Sequence, residues 1–421
     1  MSRLRMFAGV GRGLEGLLLE ELRVISPSVK WSRMKGGCEG FAPMEDLWRV
    51  CLRTRLAELL RVRIGEFYGP SFPVLIEGLR KLPWAAYLHR QSPCPSIKTV
   101  CHRSKLYHTE AVNERVRHVL KERQVALSDD AFNEMPDQDF DPNATVHLLI
   151  DDNIVTVSVD ASGPQLHKRG YRRAGTLVLL ADVDDDGRLD VGRAPLRETL
   201  AAACISAVNK DIEEMDQSKD HFLKRRRLWD PLCGSGTLVI EAVSSYLGKS
   251  AVVKRKFAFE DWPIHNQGEF EKFVKAQEEQ DRASLITVET LAVGSDISKD
   301  AIQMAKRNAE RSLTQEYCSF KQGTVVDTAN NIEEGAVLLT NLPYGVRLHG
   351  FYDAWRSIIR VLTRREDILP YVISSSRQDI PLPQGWRTEE ILSFSNRGIP
   401  VQLNRIVRGN ASKEKQEEQT E

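Results

Sequence analysis

The residues best suited to chemistry lie in two short stretches, a glycine loop running from Asp230 to Thr237 and a later segment, Asn341-Leu342-Pro343-Tyr344. In the loop, Gly234 and Gly236 lack the Cβ atoms that would keep a ligand off the backbone. Ser235 and Thr237 add hydroxyls where a following helix exposes free N–H groups. Arg225 to Trp229, ahead of the loop, is short enough for a strand, and Leu238, Ala242 and Tyr246 recur at helical spacing after it. A strand, tight turn and helix of this kind can hold a dinucleotide pyrophosphate. That fingerprint needs a third glycine where this chain has Val239, and Asp230 brings a carboxylate that repels a diphosphate and attracts an ammonium. S-adenosylmethionine, with an amino-acid ammonium beside its sulfonium, suits the loop better. Asp230, Cys233, Gly234, Ser235, Gly236 and Thr237 are therefore expected at that cofactor.

Two more acids fall at expected strand ends. The strand predicted over 288–293 runs into Gly294-Ser295-Asp296-Ile297, where Asp296 is placed to accept both ribose hydroxyls and Ile297 to lie against the adenine. Asp327, after the strand beginning at Cys318, is a candidate for the adenine amine, with a helix cap as the alternative. The strand Ala336 to Thr340 delivers Asn341. Asn341-Leu342-Pro343-Tyr344 resembles the four-residue motif of methyltransferases that act on an exocyclic planar nitrogen. Such a nitrogen is a poor nucleophile, because its lone pair is delocalised. Acceptance of its N–H by the Asn341 oxygen would aim the lone pair at the methyl group. Pro343 stiffens the loop and Tyr344 offers a face for an extruded base. Leu342 stands where the motif more often has proline.

The elements that must carry these residues are those of an α/β domain. Strands alternate with helices from the glycine loop to a helix over 352–364, a fifth strand over 368–374 and a hairpin around Asn396-Arg397-Gly398. With 421 residues, two or three domains are expected. No apolar run is long enough for a membrane span, and no charged-then-apolar leader is visible. The seven cysteines form no C-x-x-C pair, which argues for reduced thiols over a zinc ribbon or a disulfide framework. Formal net charge is zero, yet residues 1–123 hold 22 Lys and Arg against 12 Asp and Glu. A basic front on a more acidic catalytic half suits a polyanion-binding module, or else a solvated face. In that front, Ile97 to Glu110 runs from a strand into basic and aromatic residues, a mixture suited to phosphate contact and base stacking.

Several segments make the resemblance specific. Arg103-Ser104-Lys105-Leu106-Tyr107-His108-Thr109, the strands over 146–150 and 154–159, and Leu166-His167-Lys168-Arg169-Gly170-Tyr171-Arg172 are similar to the THUMP domain and its exit in THUMP-containing RNA methyltransferases. Gly13-Leu14-Glu15 with Glu20-Glu21-Leu22, and Ala194-Pro195 to Ala203, resemble the opening of those proteins and the helix that introduces their catalytic domain. The chain is thus similar to the THUMP-domain RNA guanine-N2 methyltransferases, closest to the large-subunit rRNA K/L type and related to the tRNA enzymes. The resemblance implies a Rossmann-like class I methyltransferase domain preceded by a ferredoxin-like and THUMP α+β region. It divides the chain into a ferredoxin-like unit over 1–65, a THUMP domain over 66–165, a linker over 166–193, the catalytic domain over 194–408 and a disordered tail over 409–421.

It further implies S-adenosyl-L-methionine as cofactor and the exocyclic N2 of an rRNA guanine as target. Lys98, Arg103, Lys105, His108, Lys168 and Arg169 are its RNA-binding candidates. A cytoplasmic enzyme is expected, monomeric apart from a small activator subunit of the kind some relatives use. The alternatives are a tRNA guanine, an adenine N6 or protein glutamine amide as target, and an RNA-binding factor without catalysis. An insertion over 176–193 departs from the family. Its Asp182 to Asp190 run follows a calcium-loop pattern, but Arg193 replaces the closing glutamate, so a solvated acidic insertion is expected and no metal.

Overall fold

The computed structural model describes residues 3–89, 95–122, 145–172, 196–252, 255–283, 289–343, 351–396 and 398–409. The acidic insertion, Tyr344, Arg397, Val288 and the tail from residue 410 lie outside the described residues. The chain folds as two compact units, Met1–Val10, Leu18–Leu166 and Lys254–Gln280 in one, Gly11–Leu17, His167–Val253 and Asp281–Glu421 in the other.

In the first unit, stretches of alternating apolar and polar residues form β1 (Leu4–Gly9), β2 (Ser32–Met34), β3 (Gly37–Ala42), β4 (Leu59–Tyr68), β5 (Ser96–His102), β6 (Thr145–Asp151) and β7 (Ile154–Asp160). These seven strands make one sheet, in the order β2-β3-β1-β4-β7-β6-β5. β4 is ten residues long. It pairs antiparallel with both β1 and β7, so strands from the two expected front regions share this sheet. β6 and β7 are joined by Asp152-Asn153 with φ +50° and +64°, the left-handed pair that a tight hairpin turn demands. Helices Phe72–Arg80 and Thr109–Glu122 bury Leu75, Leu79, Val112 and Val116 against Val146, Leu148 and Val157 on one face. Residues alternating with these, among them Lys98, Val100 and Leu149, are exposed on the other face.

Residues 255–280, which follow the glycine loop and its helix in the chain, pack within this first unit. Phe259 meets Phe270 edge-on at 5.1 Å, Phe270 meets Trp48 at 5.4 Å, and Trp262 meets Tyr87 at 5.0 Å. Aromatic pairs of this kind add specificity of geometry to the area they bury.

The second unit holds β8 (Leu228–Asp230), β9 (Ala292–Asp296), β10 (Cys318–Gln322), β11 (Val337–Asn341), β12 (Leu369–Ser375), β13 (Arg387–Asn396) and β14 (Ile399–Val407), in the order β10-β9-β8-β11-β12-β14-β13. The first five are parallel, and β14 lies antiparallel against β12 and β13. This is a Rossmann-like arrangement, the fold expected for this half of the chain. Strand order reverses between β8 and β11, and in open α/β sheets the ligand crevice lies beyond the carboxyl ends of the strands at such a point. β8 is shorter, and β9 begins later, than the residue types suggest. Gly294-Ser295-Asp296 belongs to the strand because Gly294 pairs with Phe320 in β10, and a Cβ there would come within 2.8 Å of the Phe320 ring.

Candidate active site

Three side chains stand at the carboxyl ends of β8, β9 and β11: Asp230, Asp296 and Asn341. Asp230 is 2% exposed. Its Oδ1 accepts the Thr340 hydroxyl at 2.7 Å and the Leu232 N–H at 3.1 Å. Burial pushes its pKa up to about 7, against the pull of these two donors, and the nearby Asp296 charge pushes the same way as burial. A buried carboxylate held with so few donors is suited to a cation, whose arrival would lower that pKa again.

The loop after Asp230 turns through Gly234 at φ +51° and Gly236 at φ +82°. A Cβ on Gly236 would sit 3.0 Å from Phe320 and 3.1 Å from Ala305, so this glycine lets the loop lie close on its neighbours; around Gly234 there is open space. The Gly234 N–H donates to Asp296 Oδ2 at 3.1 Å, and the Ser298 N–H to Asp296 Oδ1 at 2.9 Å. Each oxygen keeps a further lone pair for ribose hydroxyls. Ile297, 72% exposed, follows directly, an apolar surface beside the expected ribose position. Cys233 is buried, its thiol pKa raised by burial first and then by Asp230 and Asp296.

Ser235 and Thr237 are both buried, their hydroxyls 3.5 Å apart, and Arg172 donates to Thr237, so these side chains brace the loop. Asp327 is exposed in the short helix Val325–Ala329. Its carboxylate accepts the hydroxyl of Thr324, the residue that caps that helix, at 2.7 Å, which is the capping alternative.

Asn341 Oδ1 is buried and has no hydrogen-bond partner among the described residues. An unmet buried acceptor costs about 1–3 kcal/mol, which a donor on a ligand would recover. Leu342 is fully buried in the cluster of Trp229, Phe351 and Trp355, and its N–H donates to Ile373 at 2.9 Å. The aliphatic departure from the motif therefore fills core, leaving the acceptor beside it in place. The Pro343 carbonyl accepts Gln378 Nε2 at 3.3 Å. Thr340 and Gln378 are additions that no sequence pattern marked.

The RNA candidates fall in different settings. In the first unit, Lys98 is exposed on β5 and aligned with His147 on β6, which in turn pairs with Ser158 on β7 and, through it, Arg63 on β4. His147 is held neutral, its pKa pushed down to about 3 by burial first and then by the Arg61 and Lys98 charges. Lys105 and His108 are exposed, and His108 lies 4.5 Å from the ring of the exposed Tyr107. Arg103 is exposed but forms ion pairs with Asp151 and Asp152, both at 3.0 Å. In the second unit, Lys168 is exposed. Arg169 is a correction. It is 1% exposed and paired with Glu241 at 3.5 Å, while Glu241 also accepts the Tyr171 hydroxyl at 3.1 Å. Burial takes this guanidinium out of reach of RNA.

Residues 186–356 match the family described as the RMKL-like methyltransferase domain. Among curated proteins, the ribosomal RNA large subunit methyltransferase K/L of Syntrophotalea carbinolica is 29% identical over 362 residues, covering 84% of this chain and 46% of that protein. Its counterpart in Psychromonas ingrahamii is 30% identical over 356 residues, covering 83% and 42%. The chain thus spans less than half the length of these relatives. A Listeria monocytogenes structure, described as a predicted N6-adenine-specific DNA methylase, superposes with a TM-score of 0.73 at 23% identity over 97% of each chain, a likeness of fold. Among the described residues no helix is long and apolar enough to cross a membrane, and no group of side chains could hold a metal ion.

Proposed function

We propose that this protein is an S-adenosylmethionine-dependent RNA methyltransferase that modifies the exocyclic N2 of a guanine in rRNA. The buried, unpartnered Oδ1 of Asn341 carries this reading, because it stands at the switch point of the sheet on the strand whose Thr340 binds Asp230. Asp230 takes the cofactor ammonium, Asp296 the ribose hydroxyls, and the Gly234 and Gly236 backbone allows close approach. The cofactor supplies an electrophilic methyl group on a sulfonium.

The protein's task is to make a delocalised amine attack. Asn341 Oδ1 accepts an N2–H of guanine and orients the nitrogen lone pair. That bond strengthens as the nitrogen becomes cationic, so it favours the transition state over the ground state. An amide oxygen is too weak a base to keep the proton, which passes to solvent. Tyr344, next in the motif, offers the stacking face for the extruded base. Asp327, exposed and fixed at the start of its helix by the Thr324 hydroxyl, is positioned as the adenine contact.

RNA is favoured over DNA or protein by the exposed Lys98, Lys105 and His108, with Lys168, together with the basic excess of the front 123 residues. The enzyme acts as a cytoplasmic monomer. Nucleoside mass spectrometry of size-fractionated rRNA and tRNA, from cells with and without the protein, tests the proposal. N2-methylguanosine lost from the large rRNA fraction supports it; loss of N6-methyladenosine, or no change in either fraction, contradicts it.

A further inference from the structure

Beyond β12 the chain makes a tight turn, with the Gln378 N–H donating to the Ser375 carbonyl at 3.0 Å, and Gln378 folds back toward the motif loop. Its Nε2 donates to the Pro343 carbonyl at 3.3 Å. A carbonyl can only accept, so this contact fixes which end of the amide is which. The other end, Oε1, is buried and without a partner among the described residues. Two residues from Pro343 stands the second unmet buried acceptor of this region, Asn341 Oδ1. β11 and β12 are parallel neighbours with Asn341 opposite Ile373, so both acceptors arise at the same edge of the sheet.

An amide that served only to fasten the loop would leave Oε1 to water or to another donor, because a buried unmet acceptor is costly. Two such acceptors beside one loop call for a ligand with two adjacent donors. Guanine has them: N1–H and the N2 amine point the same way from one edge of the ring. Adenine, with its amine at the corresponding corner, presents a lone pair at N1, which would face the oxygen of Gln378 and be repelled.

We propose that Gln378 is a specificity-determining residue that reads the target base, its Oε1 accepting guanine N1–H while Asn341 Oδ1 accepts an N2–H. This rests on the guanine-N2 reading and goes further, assigning the choice of guanine over adenine to one side chain. Gln378 is tethered through Pro343, so the same amide couples base recognition to the position of the loop.

The test uses 2-aminopurine, which keeps the 2-amine but has no N1–H. RNA carrying either guanosine or 2-aminopurine riboside at the methylated position is made by ligation, and kcat/KM is measured for the full-length wild type, Gln378→Leu and Gln378→Ala. Wild type should prefer guanosine by about 10- to 100-fold, the effect of leaving one buried acceptor without its donor. Both variants should bring that ratio to within about threefold of one, with cofactor affinity unchanged. An unchanged ratio with a uniform loss of rate on both bases would overturn the inference and leave Gln378 a loop fastener. Failure of the guanine-N2 reading would show separately, as absence of N2-methylguanosine with the wild type itself.

Discussion

Thr340 donates its hydroxyl to the buried carboxylate of Asp230 at 2.7 Å, and Thr340 immediately precedes Asn341. The strand that presents Asn341 is thereby tied to the acid at the mouth of the glycine loop. The side of the crevice proposed for the cofactor and the side proposed for the base share one hydrogen bond across the switch point.

The raised pKa of Asp230 makes cofactor binding pH-dependent. The site binds an ammonium best when Asp230 is ionised, so affinity should rise as pH increases from about 5.5 toward and through about 7. Thr340→Val removes the donor that most opposes the effect of burial and should move the midpoint upward. Asp230→Asn should give weak, pH-flat binding. The ligand-free fold follows the opposite sign. Since the folded pKa lies above the ordinary carboxylate value, Asp230 costs stability as pH rises through the interval between the two, and Asp230→Asn should gain melting temperature over wild type at pH 8 but not at pH 4. Calorimetric titration and thermal melts across pH check both.

Asp296 holds the loop as well as the expected ribose. Asp296→Ala removes the acceptor of the Gly234 N–H and the partners of two ribose hydroxyls, so cofactor binding should weaken by about 2–4 kcal/mol. RNA affinity should stay within about twofold of wild type, because the substitution touches only the cofactor side. Titration calorimetry and filter binding separate the two.

Much of this site was legible in the sequence, and what was not has identifiable causes. Glycines, acids at strand ends and the Asn341 motif are local signals, and the sheet brings them to one edge as expected. Gly294 to Asp296 looked like loop because small and polar residues rarely extend a strand. Only the approach of Phe320 over Gly294 explains it. Arg169 looked like an RNA ligand because nothing nearby in sequence discloses Glu241, its partner across the fold. Gln378 and Thr340 carry no periodicity, and their importance lies in atoms that meet only after β11 has paired with β12 on one side and β8 on the other. Likewise, one sheet for the front half depends on β4 pairing on both edges, which alternation of residue types cannot show.

The buried pair yields a stability prediction. Glu241→Ala leaves the Arg169 guanidinium buried without its carboxylate and should destabilise the second unit by about 3–5 kcal/mol in urea unfolding. Tyr171→Phe removes one donor to the same carboxylate and should cost less, about 0.5–1.5 kcal/mol. Loss of RNA affinity without loss of stability in Glu241→Ala would speak against a structural role for the pair.

Lys98 and Lys105 are exposed, whereas Arg103 is held by Asp151 and Asp152. Replacing both lysines with alanine should reduce the log–log salt slope of RNA binding by about 1.4–1.8, at about 0.7–0.9 per phosphate contact. Arg103→Ala should change it by less than either lysine. A wild-type slope in the double variant would mean that this basic face is merely solvated.

The most direct test of the account is single-turnover methylation of the cognate RNA, with saturating cofactor, by Asn341→Ala and Asn341→Asp. Loss of one preorganised polar contact at the reacting amine typically costs about 10²–10³ in rate, so alanine should fall at least that far with RNA and cofactor binding near wild type. Aspartate keeps an acceptor in the same place and should retain more activity than alanine. A wild-type rate of N2-methylguanosine formation by Asn341→Ala would contradict the assignment of the buried Asn341 oxygen to the target amine.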